Sequence, residues 1–213
     1  AAKWCKEQGI RIASMVIDKE SPLGKLSDYY LPLVVFKGVE YEYLSMFGLF
    51  YGLLKCNGDF DEYDEFMEQL KKLPDALVEA HTKFDPIAAE IAKKYHARDY
   101  MMWVGGGELW GEVYLFSMCV LEEMQWLKTK SVKGTGACRK LDDRAQKFLE
   151  TYTDDLVVID VMDYMIPGLD EKFMPMVAPI VSTALLIGRL GKHFEANTGH
   201  DLDIRRYYRQ FEY

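Results

Sequence analysis

Two adjacent carboxylates, Glu122 and Glu123, stand near the end of a segment whose pattern predicts a long amphipathic helix. A carboxylate beside an apolar stripe at a helix C-terminus is disfavoured by the helix macrodipole and by desolvation. Both effects raise the pKa of the carboxyl group toward the range that is useful for proton transfer near neutral pH. In the alternative interpretation, one glutamate is solvated and the other pairs with Lys128 or Arg139. The pattern alone favours this structural interpretation, because structural ion pairs are common.

The elements that would position this pair are a short strand, a glycine turn and the helix itself. Residues 100 to 104 form an apolar run of strand length, and three glycines follow at 105 to 107, where no side chain obstructs a turn. Glu108 then stands where it can cap the helix. Three- and four-residue spacing gives the helix one wide apolar face, made of Val113, Phe116, Val120, Leu121, Met124 and Leu127.

Four histidines are the other candidates for acid and base chemistry. None stands in a His-x-x-His or His-Glu-x-x-His pattern, so the sequence gives little support for a zinc site. His81 and His96 lie in polar stretches, and we expect them to be solvated. His193 and His200 flank the C-terminal tail, and His200 is a candidate for an active-site role because the side-chain type titrates near neutral pH.

An acidic stretch at 57 to 61 matches part of a calcium-binding loop, but the glycine that such a loop needs at its sixth position is Glu62. We therefore expect an acidic first helical turn there, capped by Asp59 or Asp61. Pro74 and Pro86 are expected in the first turns of further helices between residues 40 and 96.

The order of strand, Gly-x-Gly-Glu, long helix and Leu-x-Glu, followed by a Lys/Ser-rich segment, resembles the second lobe of the two-lobed sugar-isomerase (SIS) domain proteins. Leu121, Glu122 and Glu123 match the catalytic-glutamate position of that family. The tail, with Arg-Arg-Tyr-Tyr at 205 to 208 and a final Glu-Tyr, resembles the fructosamine-6-phosphate deglycases.

The resemblance implies roles for individual residues. Glu123 is the catalytic residue that would shuttle a proton between the first two carbons of the sugar. Arg209, at the position of a tail lysine in related glucosamine-6-phosphate synthases, is a candidate for substrate binding, as are His200 and Lys133. A phosphorylated sugar needs a positive patch on an acidic protein, and two basic clusters can supply it: Lys128, Lys130, Lys133, Arg139 and Lys140, and Arg205, Arg206 and Arg209. No metal or organic cofactor is implied.

The function that the resemblance implies is a deglycase that cleaves a fructosamine 6-phosphate, such as fructoselysine 6-phosphate, into glucose 6-phosphate and an amine through an enolamine. Two alternatives stay open. One is an aldose/ketose isomerase or the isomerase lobe of an aminotransferase, with the same glutamate. The other is a non-catalytic sugar-phosphate sensor. One residue favours it, because Arg139 stands where the family has a histidine.

The resemblance implies an α/β fold with a parallel sheet flanked by helices in two lobes, the first of them incomplete. Residues 1–38 are expected to be the C-terminal part of the first lobe, 39–96 a helical connector, and 97–213 the second lobe with its tail. Strands are predicted at 10–17, at 29–36 as an edge strand, and at 156–161, with a buried helix at 173–194.

Two gaps in this pattern stand out. An N-terminal portion with the phosphate-binding loops is expected to be missing, and no strand is predicted between a helix that ends near Lys130 and the next helix at 139–151. A sugar-binding loop after Lys133 is therefore either deleted in the gene or left out of this sequence.

Composition limits the partners. A formal net charge of -8 argues against nucleic acid as a general partner. No apolar run approaches the length of a membrane span and no signal peptide precedes the chain, so the cytoplasm is expected. The cysteines stand far apart without a Cys-x-x-Cys pair, which fits reduced thiols. The expected partners are a phosphorylated sugar-amine substrate and a second copy of the chain, since the family forms homodimers or larger homo-oligomers.

Overall fold

The computed structural model describes residues 1–33, 40–134 and 143–201, except for the side chains of 143–145. At the N-terminus, α1 (Ala2–Glu7) and α2 (Pro22–Leu26) flank β1 (Ala13–Val16), and β2 (Tyr29–Pro32) follows. The two strands pair in parallel, from Ala13 with Tyr29 to Val16 with Pro32. Both predicted strands are thus confirmed as a parallel pair, although β1 is shorter than predicted and 34–39 lies outside the described residues.

Three helices come next: α3 (Glu40–Asn57), α4 (Tyr63–Leu70) and α5 (Leu73–Tyr95). Pro74 lies in the first turn of α5, as predicted, but Pro86 lies inside that helix, and that prediction was wrong. The helix continues because its buried face, with Phe84 and Ala88 fully buried, packs on helices from the end of the chain. The predicted aspartate cap was also wrong, because Glu62 precedes α4 and makes no side-chain cap bond.

The next unit is a strand, a helix and a second strand. The strand β3 (Met101–Gly106) leads into a helix at 107–124, made of a 3-10 turn (Gly107–Leu109), α6 (Trp110–Tyr114) and a π-helical segment (Leu115–Met124). The predicted cap at Glu108 is not formed, since Gly106 precedes the helix without a side-chain bond. The reversal instead rests on Gly107, whose φ of 53° suits glycine.

A strand follows this helix where we predicted none. It is β4 (Thr129–Gly134), and it pairs in parallel with β3, from Met101 with Thr129 to Gly106 with Gly134. Its sequence, Thr-Lys-Ser-Val-Lys-Gly, contains one large apolar residue, so no hydrophobic pattern marked it. The strand forms because the neighbouring β3 supplies hydrogen-bond partners for its backbone.

The predicted strand at 156–161 was also wrong. Residues 153–160 have no regular structure, and a 3-10 turn (Val161–Tyr164) follows. Val157 and Val158 are 42% and 47% exposed, and no described strand pairs with them. An apolar run becomes a strand only where a neighbour satisfies its backbone groups. Before it, α7 (Asp143–Tyr152) matches part of the predicted helix at 139–151, whose first residues lie outside the described ones.

The centre of the core is one long helix, Glu171–Thr198. It consists of a 3-10 turn (Glu171–Phe173), α8 (Met174–Leu185), a π-helical segment (Leu186–Gly191) and α9 (Lys192–Thr198), and Gly199 closes it with a φ of 71°. The buried helix predicted at 173–194 is thus confirmed. It packs against α5 and the 107–124 helix.

This helix is also long and apolar enough to cross a membrane, so the expectation that no apolar run approaches that length was wrong. However, 67% of its apolar window is buried inside the protein. Core helices pass the same test of length and composition, and packing against α5 and the 107–124 helix accounts for the apolar residues. The α/β class and the parallel strand pairs are as predicted, whereas the division at residues 38 and 96 stays a prediction.

Candidate functional site

The two glutamates lie where the 107–124 helix ends and β4 begins, and the structure gives them different surroundings. Glu122 Oε1 accepts hydrogen bonds from the Thr129 backbone N–H at 3.2 Å and the Thr129 hydroxyl at 2.8 Å. Thr129 is buried and its hydroxyl also lies 2.6 Å from Ser117 Oγ. Glu122 is therefore fixed to the first residue of β4, and its described hydrogen-bond partner is not the expected Lys128.

The surroundings of Glu123 differ. Its Oε1 atom is buried, and in the part of the chain that the structure describes nothing donates a hydrogen bond to it. Leaving a buried carboxylate oxygen unpaired costs about 1–3 kcal/mol or more, so such groups are rare and call for an explanation. The expected pairing with Lys128 is thus not found among the described residues, and Arg139 lies outside them. Glu122 is held by Thr129 instead, whereas Glu123 Oε1 is buried without a described donor.

The end of the helix is an unusual turn. The N–H of Leu127 bonds to the carbonyl of Leu121 at 2.9 Å, and the N–H of Gln125 bonds to Val120 at 3.1 Å. A helix end is commonly followed by a left-handed residue, usually glycine, which reverses the chain. Here that residue is Trp126, with a φ of 58°. The reversal sends the chain into β4 directly beside the glutamates.

His200 is brought to the same place from the other end of the chain. Its Nδ1 donates to the carbonyl of Gln125 at 2.9 Å, and Gln125 Nε2 donates to the carbonyl of His200 at 2.7 Å. The Thr198 hydroxyl donates to Gln125 Oε1. The His200 ring meets the Trp126 ring edge-on, with centroids 5.4 Å apart. His200, predicted as a site residue, therefore contacts the two residues that follow the glutamate-bearing segment.

Sequence reasoning did not single out Gln125, which is 1% exposed. The signal was present, since a polar residue follows the last apolar positions of the helix, but its partners stand more than 70 residues away.

A cavity of about 430 Å³ opens beside this turn. Its walls are Glu122, Trp126, Leu127, Lys128 and Thr129, so it combines a carboxylate, an ammonium group and an aromatic face. A cavity of this size can hold a small polar metabolite. A larger cavity of about 520 Å³ lies between β1, β2 and α3. Its walls, as far as the described residues form them, are mainly apolar and include no carboxylate, histidine or basic residue.

Of the other predicted substrate-binding residues, Lys133 is described by the structure and is not among the residues that line this cavity. Lys133 is exposed near the C-terminal end of β4, about 13 Å along the strand from Thr129 at the usual rise per residue. Arg209 lies outside the described residues, as does Arg139. Their roles in substrate binding stay predictions. Among the described residues, no group of three or more His, Cys, Asp or Glu could hold a metal ion.

The expectation that His81 is solvated was wrong, because its ring is half-buried between α5 and α8. His96 has intermediate exposure at the end of α5, so its solvation stays a prediction. His81 Nε2 lies 3.1 Å from the carbonyl of Ala184, and burial lowers the pKa of its ring. His96 Nδ1 lies 3.0 Å from the carbonyl of Lys93. His81 thus joins α5 to α8, whereas the His96 ring bonds to carbonyls of α5, the helix that it follows.

One buried carboxylate was missed entirely. Glu112 is 3% exposed and accepts hydrogen bonds from the hydroxyls of Tyr43 and Thr183. Burial raises the pKa of Glu112, and burial next to this carboxyl raises the pKa of the Tyr43 hydroxyl. Glu112 precedes Phe116 by one helical turn, so it lies on the apolar face. This carboxyl joins α3, α6 and α8 and does not line the 430 Å³ cavity.

The sequence and the fold of this chain are both similar to those of known proteins. No protein-family model matches the chain. Its sequence is similar to the fructosamine deglycase FrlB of Bacillus subtilis (strain 168), with 22% identity over 238 positions that cover all of this chain and 72% of that protein. The fold is similar to the crystal structure of a candidate phosphosugar isomerase from Bacillus subtilis, with a TM-score of 0.86, 21% identity, and coverage of 100% of this chain and 72% of the other. The chain has the phosphosugar isomerase fold.

A second structure agrees. A candidate phosphosugar isomerase from Salmonella typhimurium LT2 matches with a TM-score of 0.87, 22% identity, and coverage of 100% of this chain and 74% of the other. The predicted α/β fold and the resemblance to the sugar-isomerase family are thus confirmed. The 213 residues are spread over 238 aligned positions, so FrlB carries residues that this chain lacks within the matched region.

Proposed function

We propose that this protein is a phosphosugar-processing enzyme that cleaves a fructosamine 6-phosphate into glucose 6-phosphate and an amine or amino acid. The observation that carries the proposal is the buried, unpaired Oε1 of Glu123. A carboxylate oxygen held away from water and from hydrogen-bond donors is a base whose lone pairs remain available to a substrate proton. The similarity to a fructosamine deglycase supports this reaction among those that phosphosugar isomerases use.

In the proposed reaction, Glu123 removes a proton from C1 of the open-chain sugar, and the C2 carbonyl oxygen takes up a proton to give the enolamine. Glu123 then returns its proton to C2, and the C2 oxygen keeps its hydrogen as a hydroxyl. The product is an imine between C1 and the nitrogen. Water adds to this imine and the amine leaves, so one water is consumed for each glucose 6-phosphate released.

Glu122 has a supporting role in this proposal. Its two bonds to Thr129 tie the end of the helix to the start of β4, which limits how far the neighbouring Glu123 can move. Holding a base within a fraction of an ångström of its productive position contributes strongly to rate. The two adjacent glutamates are therefore expected to respond differently to the same substitution.

The matched pair Glu123→Gln and Glu122→Gln tests the proposal. With fructoselysine 6-phosphate as substrate, a coupled dehydrogenase assay measures release of glucose 6-phosphate. Loss of the base should lower kcat by about 10²–10⁴-fold in Glu123→Gln with substrate binding retained. Glu122→Gln keeps a side-chain oxygen that can accept from Thr129, so it should keep most of the turnover. Wild-type turnover in Glu123→Gln would refute the assignment.

The same assay separates the alternatives. Interconversion of glucose 6-phosphate and fructose 6-phosphate without amine release would indicate an aldose/ketose isomerase. Binding of a sugar phosphate without turnover of either substrate would indicate a sensor, which the arginine at position 139 favours because arginine does not donate its proton near neutral pH.

A further inference from the structure

Trp126 combines a left-handed backbone conformation with an exposed indole that lines the 430 Å³ cavity, and packing alone requires neither. Its φ of 58° is the one positive value among non-glycine residues in the described ranges. A left-handed conformation costs a residue with a Cβ atom roughly 1–2 kcal/mol, and helix ends of this type usually place glycine there. Strain of this kind persists where the surrounding structure enforces it, and it is concentrated at binding and catalytic sites.

The neighbours of Trp126 enforce this conformation. Gln125 is buried, and its side chain is held by His200 and Thr198 while its carbonyl accepts from the His200 ring. On the other side, the N–H of Leu127 is bonded to Leu121. The ring of His200 then meets the indole at an interplanar angle of 64°. These contacts fix the backbone on both sides of Trp126 and set the direction of its side chain.

The side chain so directed stays 46% exposed and forms a wall of the 430 Å³ cavity. The other walls include the carboxylate of Glu122 and the ammonium group of Lys128. An aromatic face carries partial negative charge and attracts the polarised C–H bonds of a carbon chain. A carboxylate accepts from hydroxyl groups, and an ammonium group binds a phosphate. The combination is complementary to a phosphorylated sugar.

We propose that Trp126 is a substrate-binding residue whose indole packs against the carbon chain of a phosphosugar in this cavity, and that His200 is the positioning residue that holds the indole there. The inference rests on the proposed function, because it takes its ligand class from the phosphosugar reaction. It adds a binding surface for that ligand beside the glutamate pair, built from the strained turn.

Glycine and phenylalanine at position 126 distinguish this role from simple packing. Trp126→Gly removes both the strain and the indole, so it should keep or raise the melting temperature while the Kd for glucose 6-phosphate, measured by isothermal titration calorimetry, rises about tenfold. Trp126→Phe keeps an aromatic face and should bind within about threefold of wild type. In the wild type and in a Trp4→Phe control, glucose 6-phosphate should change tryptophan fluorescence, and Trp126→Phe should lose that change.

Two substitutions at position 200 test the positioning role of His200. His200→Ala removes the ring and its bond to the Gln125 carbonyl, so it should raise the Kd for glucose 6-phosphate and shift the tryptophan emission. His200→Asn retains a side-chain N–H that can donate to the same carbonyl, so it should restore much of the binding. Equal Kd values for wild type and His200→Ala would overturn the positioning role.

The outcomes also separate this inference from the proposed reaction. Glucose 6-phosphate binding that depends on Trp126, without any release of amine from fructoselysine 6-phosphate, would support the binding surface and refute the deglycase. Deglycase turnover with the same Kd for glucose 6-phosphate in wild type and Trp126→Gly would overturn the role of Trp126 and leave the reaction intact. A loss of melting temperature in Trp126→Gly with unchanged Kd would assign Trp126 to packing alone.

Discussion

Gly105 stands at the point where β3 meets the helix that carries the glutamates, and it offers a test of how closely the two elements approach. A Cβ atom at this position would lie 2.8 Å from Val113 Cγ2, 2.9 Å from Val113 Cβ and 3.2 Å from the Leu109 carbonyl oxygen. Val113 is buried and β-branched, so its side chain has little freedom to move away. The Gly105→Ala substitution must therefore push the helix away from the strand.

Overpacking of this kind costs about 1–3 kcal/mol of unfolding free energy. For a chain of this length each kcal/mol shifts the melting temperature by roughly 2–4 °C, so Gly105→Ala should lower it by several degrees. Gly111 in α6 is the matched control, because a Cβ there would meet nothing within 4 Å. Gly111→Ala should instead stabilise the protein by up to about 1 kcal/mol through helix propensity.

Urea unfolding and thermal unfolding of the two variants measure this difference. A double variant adds to the test, because Val113→Ala removes the Cγ2 contact of the new methyl group but keeps the Cβ contact at 2.9 Å. The Gly105→Ala substitution should therefore cost somewhat less in the Val113→Ala background than in the wild type, without becoming neutral. A Gly105→Ala variant as stable as the wild type would refute the close approach of helix and strand.

Two further predictions concern Glu112 and α3. Because burial raises the pKa of Glu112 in the folded state, its stability contribution is complete below the ordinary value of 4.5 and is lost as the pH rises through the folded pKa. The unfolding free energy of wild type should therefore fall relative to that of Glu112→Gln as the pH rises above 4.5, and a difference that does not change with pH would contradict this. The exposed apolar residues of α3 favour a homodimer, so Phe50→Glu, at a position 52% exposed, should halve the mass measured by light scattering without lowering the melting temperature. A wild-type protein that is already monomeric would disprove this interface.

The sequence by itself determined the elements whose signal is local. The three- and four-residue spacing marked the buried helix around Val181 and Leu185, and apolar runs marked β1 and β3. The resemblance to the sugar-isomerase family rested on short motifs, and it gave the fold. The glutamate pair was also located from sequence, because two carboxylates at the end of an apolar stripe are visible without any tertiary contact.

Only the tertiary structure decided which neighbours these segments meet. The polar residues of β4 form a strand because β3 lies beside them, whereas the apolar residues at 156–160 form none, since no described strand pairs with them. Likewise, Thr129 fixes Glu122 and leaves Glu123 Oε1 unpaired, and Gln125 meets His200 from 75 residues away. Periodicity records which face of an element is apolar, but a hydrogen bond needs a partner at about 3 Å, and folding alone brings distant partners to that distance.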